Sequence, residues 1–433
     1  MSKQRRRKRR IERIKSILIV LLSCSAVYLA ARTQMSSTLA DLAAGGDTVS
    51  HTETVQNQSA MARPLRMAVT LREGVECQRY GVQYDQTAGL ALFQQTYSLL
   101  AEALSGAQEP QRVQESQWQQ ALSTAPGIYF DWQEPLPFAV LEGWLSVEND
   151  NLTGAMRRMV LTVSQEETVA FYHGEDGYYR VQCQGVDASR LSELAAGLKD
   201  NGARFAFEVE GYEALGPYTM LTDQTPSPAS YQSINPLEQG DMLSVLQEQL
   251  NFDQSGAVSY PTSEEQVIRV GDDTLRVAND GTVTYTAAEE GSGRYTVGED
   301  LYQMVEGCRE LAMNAILPFY PEARLCLLSV QGNEESGWQV RFSYVLNDIR
   351  VRMGQEDCAA SFQISGGQVT GFTLRLRTYT DTGSTSLLLP ETQAMAAMQA
   401  VGHEGEELLL VYLDNGASVS ASWAAAGVLG EEG

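Results

Sequence analysis

From residue 64 onward, apolar side chains recur with two periods. Alternation at 67–71 and 75–84 predicts two strands, and the spacing of Leu90, Phe93, Tyr97, Leu100 and Leu104 predicts a helix over 85–104. A second helical stretch around Trp118 precedes a strand at 128–132. Alternating runs at 158–163, 168–172 and 178–183 then predict strands, with Asp176-Gly177 as a hairpin turn. Asp187 is placed to cap a helix over 187–199, and 203–209 reads as another strand. Residues 222–236 hold three prolines and few apolar positions, which marks a boundary.

The second half repeats the theme. A helix near 237–250 leads into a three-stranded meander at 266–270, 274–278 and 282–286. Thr296 and Glu299 have capping-box spacing ahead of the stripe Leu301, Met304, Cys308, Leu311, Ala315, and Pro318 stops that helix. Strands are expected at 324–330, 339–346, 349–353, 358–364 and 369–379, a helix from Pro390 to about 401, and strands at 407–413 and 417–423.

One segment follows neither period. Residues 17–31 are almost wholly apolar, between Lys15 and Arg32. At about 1.5 Å per residue the run is short for a core of roughly 30 Å, a gap that the flanking cations close by snorkelling. An uncleaved anchor is the preferred reading. A cleaved signal peptide and a lipid-modified Cys24 stay open as alternatives.

Charge gives the orientation. The chain has 31 Lys+Arg and 55 Asp+Glu, a net of −24. Residues 1–15 carry nine basic residues against Glu12, whereas residues 33–433 carry 21 basic and 54 acidic. A basic tip stays cytoplasmic, which places the acidic body outside. A body this acidic repels phosphate backbones and excludes nucleic acid as a partner.

Catalytic signatures are missing. Lys199 is the one lysine beyond the tip and lacks a P-loop context. There is no G-x-S-x-G, no S-x-x-K and no C-x-x-C. His51, His173 and His403 are scattered and read as surface residues, and Cys77, Cys183, Cys308, Cys326 and Cys358 form no disulfide framework. Asp272, Asp273 and Asp280 belong to tight turns and lack calcium-loop spacing. No catalytic, cofactor or metal residue is expected, and the aromatics read as core.

The layout resembles the YycH/YycI family. The basic tip and single anchor match in placement. The helix at 85–104 and the run WQQALSTAPGIYFDW (118–132) look like the N-terminal part of the longer members. SGWQVRFSYVLNDIRVRM, SFQISGGQVTGFTLRLRTY and LPETQAMAAMQA resemble the family's strand–turn–strand–helix module, most closely at Gly366-Gly367, Val369 and Phe372. The resemblance implies a non-enzymatic, membrane-anchored regulator of a sensor histidine kinase that controls cell-wall metabolism in Gram-positive bacteria. It also implies contacts with that kinase and with a sister regulator. In the membrane those contacts would fall on Ile17, Leu18, Val20, Leu21, Ser23, Cys24 and Val27, where small residues allow close helix packing.

The expectation is therefore an α+β protein. A single transmembrane helix is followed by two or three extracytoplasmic domains of antiparallel sheets with packed helices. The divisions are a basic tip at 1–15, an anchor at 16–32, a stalk at 33–62, an N-terminal domain at 63–221 and a linker at 222–236. A C-terminal domain spans 237–423, with a meander at 266–287 and a helix–sheet module at 296–423, and a tail runs over 424–433. A cell-envelope binding or assembly protein, sporulation-linked in one version, is the alternative reading; an envelope hydrolase is the second.

Overall fold

The structure, a computed structural model, describes residues 61–426 apart from 74–76, 224, 239–240, 254–255, 289–292 and 354–356. The tip, the anchor, most of the stalk with His51, and the end of the tail lie outside the described residues. Among the described residues no helix is long and apolar enough to cross a membrane.

The first sheet is built from β1 (Arg66–Arg72), β2 (Gln78–Gln83), β3 (Gln111–Val113), β4 (Gly127–Pro137), β5 (Ala155–Ser164), β6 (Glu167–Gly174) and β7 (Gly177–Gln182). It is antiparallel, in the order β2-β1-β4-β5-β6-β7-β3. Strict alternation divides its faces. Met67, Val69, Ile128, Phe130 and Leu161 join the main core, where α1 (Gln86–Ser105) packs. Ala68, Tyr129 and Val160 face the opposite core, closed by Trp118 and Leu122 of α2 (Glu115–Ser123). Asp85 caps α1 by accepting from the backbone N–H of Thr87 and Ala88. A helix that the periodicity missed, α3 (Phe138–Leu145), follows β4 directly; it is apolar nearly all round, so no stripe shows.

Asp187 caps α4 (Ala188–Gly197) as expected. Residues 203–209 are not a continuous strand. Only β8 (Arg204–Phe205) is extended, pairing with β9 (Met220–Leu221), and a 3-10 turn takes over at Ala206–Glu208, where Glu208 accepts from the Phe205 N–H. The free edge of β2 is sealed by Asn201, whose side-chain amide bonds both the N–H and the C=O of Gly81, as a neighbouring strand would.

The second sheet has thirteen strands. They are β10 (Ala229–Ile234), β11 (Val258–Pro261), β12 (Glu265–Val270), β13 (Asp273–Ala278), β14 (Thr282–Thr286), β15 (Leu325–Asn333), β16 (Gly337–Leu346), β17 (Ile349–Met353), β18 (Ala360–Ser365), β19 (Gln368–Arg375), β20 (Thr378–Thr385), β21 (Leu408–Asp414) and β22 (Ser418–Ala425). The order is β11-β12-β13-β14-β19-β18-β16-β17-β21-β22-β10-β20, with β15 on the other side of β16. The meander and the module are thus one sheet, joined where β14 pairs β19. One pair is parallel, β17 with β21, against the all-antiparallel expectation. The segment 222–236 is not simply a linker: β10 within it pairs both β20 and β22. The run 369–379 breaks into β19 and β20.

The helices on this sheet are α5 (Met242–Gln249), α6 (Leu301–Ile316) and α7 (Glu391–Ala400). α6 is capped by Asp300, which accepts from the Gln303 N–H, rather than by Thr296. Cys308 lies on its buried side, and Cys183 is likewise buried. The turn Gly366-Gly367 has positive φ at both residues, 54° and 71°, the mirror-image turn that suits a two-residue hairpin.

Candidate functional site

Both sheets contribute to the main core, and charged residues concentrate where they meet. Of the 21 basic residues beyond Arg32, 20 are arginine. Seven of them make the seam: Arg63, Arg66, Arg157, Arg158, Arg324, Arg350 and Arg352. The forked guanidinium, always charged and able to serve two carboxylates, suits such sites better than an ammonium.

The deepest network is dictated by register. Arg66 stands opposite Asp131, and Asp131 opposite Arg158, so three adjacent strands put a cation–anion–cation ladder on one face. Arg66 pairs with Asp131; Arg158 Nε lies 3.3 Å from the same carboxylate and Tyr129 donates to it at 2.9 Å. Glu407, just before β21, reaches across from the second sheet. It pairs with Arg157 and Arg158, and with Arg66 at 3.3 Å. Arg66 and Asp131 side chains are wholly buried. Burial pushes the Asp131 carboxyl up, but Arg66, Arg157 and Arg158 outweigh it and hold the group well below the usual range. Glu407 is lowered in the same way, by Arg157, Arg158 and Arg66 against burial.

Three cations face two acids, and the surplus is felt nearby. His173, expected at the surface, is half-buried and stacked on Tyr178 at 4.6 Å. Burial, then Arg158 and Arg157, push its imidazole down to about 4. His403 sits apart, hydrogen-bonded to Glu406 at 2.9 Å.

A second knot lies at the tip of the β16–β17 hairpin. Asn347 and Asp348 both hold positive φ, 51° and 59°, a conformation Asn and Asp tolerate best among non-glycine residues. The turn aims both side chains at the N-terminal half. Asn347 accepts from the Gln86 N–H at 3.0 Å and donates to the Tyr84 carbonyl at 2.9 Å. Asp348 accepts from Arg63 at 2.7 Å and also pairs with Arg324. Gly89 of α1 allows this approach, since a Cβ there would lie 2.6 Å from the Asp348 carboxylate. Arg324 also donates to the Arg63 carbonyl at 3.2 Å, so main chain and side chain of Arg63 are both tied to this knot.

A third knot pairs Glu134 with Arg350, which lies 3.7 Å from Asp357; Asp357 also holds Arg352 at 2.9 Å. Trp144 of α3 donates to Glu306 of α6 at 3.0 Å, and Glu306 takes a two-point bond from Arg309. Leu410 N–H donates to the Tyr84 hydroxyl at 3.1 Å.

Two carboxyls are poised differently. Burial pushes Glu142 and Glu391 up to about 7. A raised native value means that the folded chain binds more protons than the unfolded one between about 4.3 and about 7. Stability is therefore expected to rise as pH falls through that window and to be lost as pH rises through about 7. His173 works the other way, between about 6.5 and about 4, because its native value is lowered. Urea midpoints measured from pH 8 to pH 5 check this: Glu142→Gln should flatten the upper part of the curve, and an unchanged slope would refute the assignment.

The seam was not singled out from sequence. The seven positions expected in the membrane, from Ile17 to Val27, lie outside the described residues. No group of three or more potential metal ligands occurs among the described residues.

No protein-family model matches the sequence, and no curated protein matches it. Among solved structures, the fold is similar to that of YycH from Bacillus subtilis, with a TM-score of 0.55 and 10% sequence identity, over 85% of this chain and 94% of that chain. The chain has a YycH-like α+β fold.

Proposed function

We propose that the protein is a membrane-anchored, non-enzymatic regulator of a two-component sensor histidine kinase that controls cell-wall metabolism. It would act through its anchor and through extracytoplasmic contacts with the kinase or a sister regulator. The YycH-like fold over 85% of the chain is the observation that carries this reading, together with the family resemblance of the sequence. The apolar run at 17–31 behind a basic tip supports a single pass with the N-terminus inside.

The seam gives the reading a physical route. A regulator biases a two-state partner only through contacts that differ between its states. Arg63, which follows the expected anchor and stalk in sequence, is tied to Asp348 and Arg324 of the second half, so a shift between the sheets would act on the N-terminal end of the body. Co-purification of the full-length chain with the cell's sensor kinases tests the proposal. A kinase should be retained, and deletion of the gene should change that kinase's output. No retained kinase together with unchanged output would overturn it.

A further inference from the structure

We propose that the seam binds one small monovalent anion of chloride size, in a cavity lined by Arg63 and Arg324. The proposal concerns the body alone and stands independently of the kinase reading. The cavity lies between the halves: Met61, Arg63, Trp132, Glu134 and Trp144 line it from one side, and Arg309, Arg324, Cys326 and Phe342 from the other. Its volume is about 20 Å³. One water needs about 10–15 Å³ on this measure, so a single water-sized species fits and a phosphate or an organic acid does not.

Charge decides which species. Arg309 is neutralised by Glu306, and Glu134 by Arg350. Arg350 and Arg352 also meet Asp357. Arg63 and Arg324 share the single carboxylate of Asp348. Among the described residues, Arg63 and Arg324 therefore set two guanidiniums against one carboxylate, leaving one positive charge beside the cavity. The Arg63 and Arg324 side chains are only 4% and 13% exposed. An uncompensated charge this deep is costly, and a water does not cancel it. A monovalent anion of that size does. The walls of Trp132, Trp144 and Phe342 favour a weakly hydrated ion, whose desolvation costs least. Bound there, it would hold Arg63 and Arg324 together across the seam.

The test is thermal unfolding of the full-length chain in detergent, at fixed ionic strength, in sodium chloride, bromide or gluconate. Chloride and bromide should raise Tm by several degrees over gluconate, saturating with concentration as a single site does. Arg324→Gln leaves Arg63 and Asp348 balanced one to one, so it should abolish the halide response while folding normally in gluconate. Asp348→Asn raises the surplus and should keep or strengthen the response. Crystals grown in bromide should show one anomalous peak in the cavity. Equal Tm in all three salts, or a halide response that survives Arg324→Gln, would overturn the proposal.

Discussion

Replacing Asp131 by alanine is expected to cost about 3–5 kcal/mol of unfolding free energy, the usual consequence of removing one partner from a buried ion network. Arg66 and Arg158 lose their common acceptor, and the Tyr129 hydroxyl and the Gln133 N–H lose theirs. Only Glu407 then opposes three cations. Urea unfolding of the full-length chain reads the loss, and a change below about 1 kcal/mol would contradict a buried network of this kind. Exchanging the Arg66–Asp131 pair together for Met and Leu should recover a good part of the loss, because apolar residues of similar volume replace buried pairs at little cost. The pH dependence has a definite sign. Asp131 is held below its unfolded value, so its contribution is present above about pH 4 and is lost only as pH falls well below that.

Phe372→Ala should cost a comparable amount, about 3–5 kcal/mol, by a different route. Phe372 is 2% exposed and stands opposite Tyr285 on β14 and Phe362 on β18. The ring centroids are 5.1 Å and 5.7 Å away. This aromatic ladder fastens the meander to the rest of the second sheet, as the charged ladder fastens the seam. Removing its middle rung leaves a cavity with little around it that can collapse. A loss under about 1.5 kcal/mol would show that the strands repack. Phe372 shares no ion pair with the seam, so the two variants separate loss of stability from loss of seam geometry in any test of the proposed function.

The sequence by itself determined most of the elements. Apolar patterning placed β1, β4, β5 and β6, helical spacing placed α1, and helical spacing with Asp187 as cap placed α4, because these signals are local. It failed where local signals were absent or competed. α3 hides because it has no polar face, and 203–209 turns early because Glu208 bonds back to the Phe205 N–H. The resemblance to the YycH/YycI family, read from the hairpin and helix runs, agrees with the fold. The charge split also belonged to the sequence, which carries a basic tip and an acidic body.

Only the tertiary structure decided where the arginines of that body go. Arg66, Asp131, Arg158 and Glu407 are separated by up to 341 positions, and no periodicity links them. Strand register brings the first three together, and the packing of the second sheet brings the fourth. Ion pairing over such separations is a property of the folded chain, since each residue alone would read as an ordinary solvated charge. The same holds for Arg63, Arg324 and Asp348, whose meeting depends on a two-residue turn with both φ angles positive. The acidic surface was therefore legible from composition, whereas the cationic seam inside it was set by register and burial.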